Sequence, residues 1–220
     1  MLFRSRRPAI GYLTDAGPDT GLDPRVETAV EELVQRLGRK GHSVVRLRMD
    51  WMSLAENAWA LWENRLYESF VDTTPAQRAL LDPRLQHLCE RGGTHGAERL
   101  ARARTQLRDA TTQLTLAFAD VDLLLTPASP AGAPRVGALC ADGHPLRDRI
   151  RQTFNWQLAN PYTFPFNLTQ QPALSMPLAT DADGLPVGLQ IVGRKYRDDD
   201  VLDFAQTLES THLFQESEHA

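Results

Sequence analysis

Apolar positions first fall into a regular pattern at Ala9 to Thr14, a short run that predicts a strand. The turn-rich stretch "DAGPDTG" follows, and Asp23 then precedes Pro24, the residue order of a helix N-cap and first helical position. Val26, Ala29, Val30, Leu33, Val34 and Leu37 recur at helical spacing and make one apolar stripe. Gly41 suits a helix end, and Ser43 to Leu47 predicts a second strand. Strand, helix and strand at these lengths form a βαβ unit, so the two strands are expected to be parallel.

From Trp51 to about Phe118 the period becomes helical. Leu54, Ala58, Leu61 and Leu66 mark one helix that ends before Pro75. Residues Ala79 to Arg91 predict a shorter helix interrupted by Asp82-Pro83, and Leu100, Leu107 and Leu114 predict a long one starting near Thr94. Asp122 to Thr126 is then a continuous apolar strand of the kind buried on both faces, followed by a Pro/Ala/Gly loop. Arg147 to Leu158 predicts a helix, and "ANPYTFPFNLTQQPALSMPLA" an irregular stretch that enters a strand near Ala173. Val187 to Val192 is its partner strand across the turn "TDADG", and a final helix starts at Asp198. With no repeat and no linker, the expectation is one α/β domain over residues 1–220, a mixed sheet flanked by helices.

Composition narrows the function classes. At 220 residues and 42% hydrophobic the chain is long enough for a packed core. A net charge of -4 argues against nucleic acid, whose partners present a basic face. The one basic cluster, Arg4 to Arg7, reads as a solvated terminus. Two cysteines make no disulfide framework, no run reaches the length of a membrane span, and the start lacks a signal-peptide core. A cytoplasmic protein with no membrane partner is expected.

The chemistry-bearing groups each have a plainer explanation. Asp198 to Asp200 sit at a helix start, where carboxylates oppose the dipole, and no second ligand cluster accompanies them. His87, Cys89 and His95 supply a single cluster where zinc takes four ligands in paired spacings. Cys140 and His144 share a loop, a spacing that alone does not define a nucleophile and its base. The sequence contains no Gly-x-Ser-x-Gly elbow, phosphate-cradling loop or His-Glu-x-x-His. No catalytic residue, metal or cofactor is assigned.

Three stretches together resemble the C-terminal half of the amidase signature family: the βαβ segment from Ile10 to Val45, "DVDLLLTPASPAGAP", and above all Tyr162 to Glu209. The resemblance implies the C-terminal part of that family's fold and descent from hydrolases of carboxamide C–N bonds. The family's nucleophilic serine, its second serine in a cis peptide and its lysine belong to segments upstream of everything matched here. The only lysines, Lys40 and Lys195, fall at a helix end and after a hairpin strand, and neither matches. The resemblance therefore implies a portion inactive alone, or a non-catalytic binding or regulatory subunit that pairs with a catalytic half; a replaced nucleophile such as Cys140 is a third alternative. Expected partners are an N-terminal amidase half or further copies of the chain, with a small amide as ligand. Such a ligand is expected to meet Thr126 to Ala133 and Asn160 to Asn167, with Thr126, Asn160, Thr163 and Phe164 as substrate-binding candidates. Gly184 to Gly193 is expected to be framework strand. Half of a shared sheet is also expected to leave an open edge and an uncovered apolar face. Finally, Gln170 replaces a glycine of the family pattern, at a cost if the backbone there has φ > 0.

Overall fold

The computed structural model describes residues 7–18, 20–133, 156–181 and 184–211. Ile10–Asp15 (β1), Pro24–Arg39 (α1) and Val44–Arg48 (β2) form the expected βαβ unit, with β1 and β2 parallel. Asp23 caps α1 by accepting from the Arg25 N–H, and Val26, Val30, Leu33, Val34 and Leu37 are the buried stripe. Leu123–Pro127 (β3) pairs parallel with the other side of β1 and is buried throughout, as its unbroken apolar run requires. Ala173–Thr180 (β4) and Pro186–Gly193 (β5) make an antiparallel hairpin, and β5 also pairs antiparallel with β3. The result is a mixed five-stranded sheet in the order β2-β1-β3-β5-β4.

Strand alternation divides the sheet's side chains between two faces. On one, Ile10, Leu123, Leu125, Leu189 and Ile191 pack with Val30 and Leu33 of α1 and with Val201, Phe204 and Leu208 of the last helix (Asp198–Ser210). Burying each such side chain is worth about 1.5–3 kcal/mol, so this cluster is the main source of stability here. On the other face, Leu13, Leu124 and Val192 are also buried, and the register sets Thr126 opposite Gln190. An uncovered apolar face therefore does not appear at the middle of the sheet among the described residues. What stays open is the pair of outer strands: Val45, Arg46 and Arg48 on β2 and Ala173, Ser175 and Pro177 on β4 are exposed.

The chain divides into two compact units, one of Met1–Ser53 with Thr112–Ala220 and one of Leu54–Thr111. The second unit is helical, built from Met52–Phe70 (α2), Pro75–Arg78 (α3), Pro83–Gly93 (α4) and Ala97–Asp120 (α5), with the ends of α2 and α5 running beyond it. Asp82-Pro83 does not interrupt a helix over Ala79 to Arg91; it starts one. Asp82 accepts from the Arg84 N–H and Pro83 takes the first position, where its missing donor costs nothing. The long helix begins at Ala97 rather than near Thr94, after Thr94 closes α4. Of the helix expected over Arg147 to Leu158, only a 3-10 turn at Trp156–Ala159 lies within the described residues. No described helix is long and apolar enough to cross a membrane.

Candidate functional site

The parallel strands β1 and β3 end side by side, and antiparallel β5 begins at that same end, with Pro127 opposite Leu189. The loops that leave these strands are joined by short contacts. The Asp23 N–H donates to the Pro130 carbonyl (2.8 Å), and the Ala128 N–H donates to the Gly188 carbonyl (2.9 Å). At Gly188 a side chain has no room, because a Cβ there would lie 2.8 Å from the Ala128 Cβ. Strand end and loop therefore approach as closely as backbone allows, which supports the framework role of this strand.

Thr126, one of the four candidates, is fully buried. Its hydroxyl donates to the Pro127 carbonyl (2.9 Å) and accepts from Gln190 Nε2 (2.9 Å). Gln190 Nε2 also donates to the Tyr162 carbonyl (2.6 Å), and the Tyr162 hydroxyl donates to the Thr14 carbonyl at the end of β1 (2.6 Å). One polar chain thus runs from β3 through β5 and the Asn160 segment to β1. Burial, with the charges of Glu27 and Asp15 adding to it, holds the Tyr162 phenol well above its ordinary range. It is a neutral donor here, not a base.

The other candidates stand on the segment that Tyr162 anchors. Thr163 precedes a short helix, Phe164–Thr169 (α6), where the sequence suggests irregular chain; Pro165 falls in its first turn, so proline does not prevent it. Phe164 and Phe166 are buried, and Phe166 meets the Trp51 ring edge-on at 6.0 Å. Thr163 is half-buried, its hydroxyl 3.4 Å from the Asn160 carbonyl, and Asn160 itself is exposed. The structure therefore ties Thr126 to this segment through Gln190 and leaves Asn160 and Thr163 as the accessible pair. Sequence reasoning missed Gln190 and Tyr162. The signal for Gln190 was a lone polar residue inside the apolar run "VGLQIVG", which a buried strand does not carry without a partner.

Beside this end of the sheet, charges are paired. Arg46 Nη2 donates to Thr14 Oγ1 (3.0 Å) and Glu27 Oε1 (3.1 Å), with its guanidinium carbon 5.9 Å from the Tyr12 ring centre, and Arg48 meets Asp15 at 2.6 Å. In the helical unit, Glu63 is fully buried, with Oε2 2.7 Å from His95 Nε2. Arg91 Nη2 stands 3.1 Å from Glu63 Oε1, close enough for charge pairing but off the line of a hydrogen bond. His95 thus serves a buried carboxylate, while burial raises the Cys89 thiol. Among the described residues no group of three or more His, Cys, Asp or Glu side chains converges for a metal. Asp200 binds the Arg197 guanidinium through both oxygens at 2.7 Å. Cys140 and His144 lie outside the described residues.

The amidase family model matches residues 3–202, nearly the whole chain. The chain belongs to the amidase family. A putative amidase, AmiB2, of Mycobacterium tuberculosis is 29% identical over 184 residues, which take in 83% of this chain and 38% of that protein. One subunit of the glutamyl-tRNA(Gln) amidotransferase of Myxococcus xanthus is 35% identical over 116 residues, 53% of this chain and 21% of that protein. Among solved structures, an amidase superposes with a TM-score of 0.78 at 20% identity over 94% of this chain and 46% of its own. A 6-aminohexanoate cyclic dimer hydrolase complexed with substrate superposes at 0.76 and 23% identity, over 96% of this chain and 46% of its own. These likenesses establish the amidase fold. The chain spans less than half the length of these relatives.

Proposed function

We propose that this amidase-family chain is the C-terminal portion of a hydrolase of carboxamide C–N bonds, working as one amidase-like domain that is inactive alone. It supplies sheet and substrate wall to a catalytic half that carries the serine pair and lysine. The observation that carries this is the polar chain through Thr126, Gln190 and Tyr162. Each of these groups is buried and already engaged, in contacts that hold a wall rather than attack a carbonyl. Thr126 and Phe164 then act as buried support, while Asn160 and Thr163 meet the amide at the rim. The match to less than half of each relative agrees with a division of labour between two halves.

A second reading, in which the chain binds or regulates a separately encoded amidase half, is favoured by the Myxococcus xanthus relative, which is itself named as one component of an amidotransferase. Ammonia release from a panel of aliphatic and aromatic amides tests the proposal. The purified chain is expected to release none, and a mixture with an amidase-family half bearing Ser-Ser-Lys is expected to release it. Turnover by the chain alone that survives repurification overturns the proposal, and its loss in Cys140→Ala would point to a replaced nucleophile. In the active mixture, Asn160→Ala raises KM more than it lowers kcat if the residue binds substrate uniformly.

A further inference from the structure

Helices α2 and α4 touch at one point and part beyond it. A Cβ on Gly92 would lie 2.0 Å from the Glu63 carbonyl oxygen, and one on Gly93 would lie 2.8 Å from the Tyr67 ring. Only glycine lets the two backbones meet so closely. About one turn further along α2 the gap opens into a cavity of about 340 Å³, closed by the turn after α3. Tyr67, Phe70 and Leu81 give it apolar walls; Gln86, Cys89 and Glu90 come from α4. An apolar cavity near 150 Å³ holds benzene, so this one has room for a phenyl ring with a short polar tail.

Arg78 also lines this cavity and is fixed in place. Its Nε donates to Thr73 Oγ1 (3.1 Å) and its Nη2 to the Phe70 (3.1 Å) and Val71 (2.8 Å) carbonyls, closing the end of α2. Nη1 takes no part in those three bonds. A guanidinium held this way on the cavity lining loses little further side-chain freedom when a ligand arrives. Glu90 on the same lining disfavours a second negative charge. We propose that the helical unit binds a small aromatic monocarboxylate, its ring between Tyr67, Phe70 and Leu81 and its carboxylate on Arg78. The site lies wholly within Leu54–Thr111 and does not rest on the hydrolase role.

Cys89 reports on occupancy, because Cys140 is the chain's only other cysteine. In full-length Cys140→Ala protein, the rate of Cys89 alkylation by iodoacetamide is followed against 3-phenylpropionate and against 3-phenylpropylamine. The acid is expected to slow alkylation at least about fivefold, half-saturating near about 1 mM, while the amine at equal concentration does little. Arg78→Gln is expected to shift half-saturation by about tenfold, and Arg78→Lys to restore part of the preference for acid over amine. If Arg78→Gln fails to fold, the Arg78→Lys variant decides by whether acid still outcompetes amine. Cys89→Phe, which fills the cavity, is expected to melt no lower and to lose saturation transfer to the acid. Equal protection by acid and amine, or none by either up to about 10 mM on protein with its native melt, overturns the proposal.

Discussion

Tyr162 donates to a carbonyl 148 residues away, and a bond of that reach is invisible to any local pattern. The same holds for Gln190, whose partners lie 64 and 28 residues off, so sequence offered Thr126 and Asn160 but not the groups that join their segments. The buried phenol has a consequence for pH. Its folded-state pKa stands above that of the unfolded chain, so its contribution to stability is complete below pH about 10 and is lost as pH rises beyond it. Denaturant melts are expected to weaken above that pH, and Tyr162→Phe to flatten this loss while costing about 1–3 kcal/mol at neutral pH through the abandoned Thr14 carbonyl. Unchanged alkaline weakening in the variant would count against it. Gln170 is the opposite case, a residue whose strain was legible in advance. It closes α6 at φ 64°, ψ 37°, the left-handed conformation that glycine adopts freely. A non-glycine residue there costs about 1–3 kcal/mol, and glycine gives back about 0.4–1 kcal/mol in chain entropy. Gln170→Gly should therefore raise stability by up to about 2.6 kcal/mol in a urea titration.

Elements are most legible where one rule governs their ends. Asp23-Pro24 announces α1, and the same dipeptide at Asp82-Pro83 announces α4, yet there the surrounding pattern suggests a break within a longer helix. Proline forbids continuation backwards and permits a start, and only the capping bond from Arg84 to Asp82 distinguishes the two. The Arg84 guanidinium also bonds Asp82, and these bonds hold its carboxyl below the usual range. Strand β3 was legible because burial on both faces demands an unbroken apolar run, and β5 as the largely apolar run that follows a hairpin turn. The meeting of α2 and α4 was not legible, since Glu63 looks like any surface acid in a helix. It is buried with His95, and removing it takes away the carboxylate that faces both His95 and Arg91. Glu63→Ala should cost about 3–5 kcal/mol, read as an earlier loss of helical circular dichroism, with Glu63→Gln milder because it keeps a partner for His95. At the sheet, Gly188→Ala drives a Cβ against Ala128 and should cost about 1–3 kcal/mol in the same titration. A neutral result would mean that the loop after β3 yields.

At the scale of the whole molecule, the fold class followed from the alternation of periods along the chain, while the division into two units did not. No change of composition marks Ser53/Leu54 or Thr111/Thr112, because both joints lie inside the regular helices α2 and α5. Both outer strands of the sheet are defended against added strands. Arg46 and Arg48 stand on β2, and β4 carries Pro177 with a register break between Pro177 and Ala179. Self-association of the chain alone is therefore expected to stop at a fixed stoichiometry in sedimentation velocity, and growth without limit as concentration rises would show an edge left open. The place of β3 between β1 and β5 also sets a timetable. Just before β3, the Asp122 carboxylate accepts from the Ala9 N–H at the start of β1 across 113 residues, with α1, β2 and the helices of the second unit intervening in the chain. At ordinary ribosomal rates β1 waits about 6–20 s for the neighbour that completes it. During that interval β1 is paired with β2 on one edge only and its other edge is open, so this is the stretch of synthesis in which the chain most needs a chaperone.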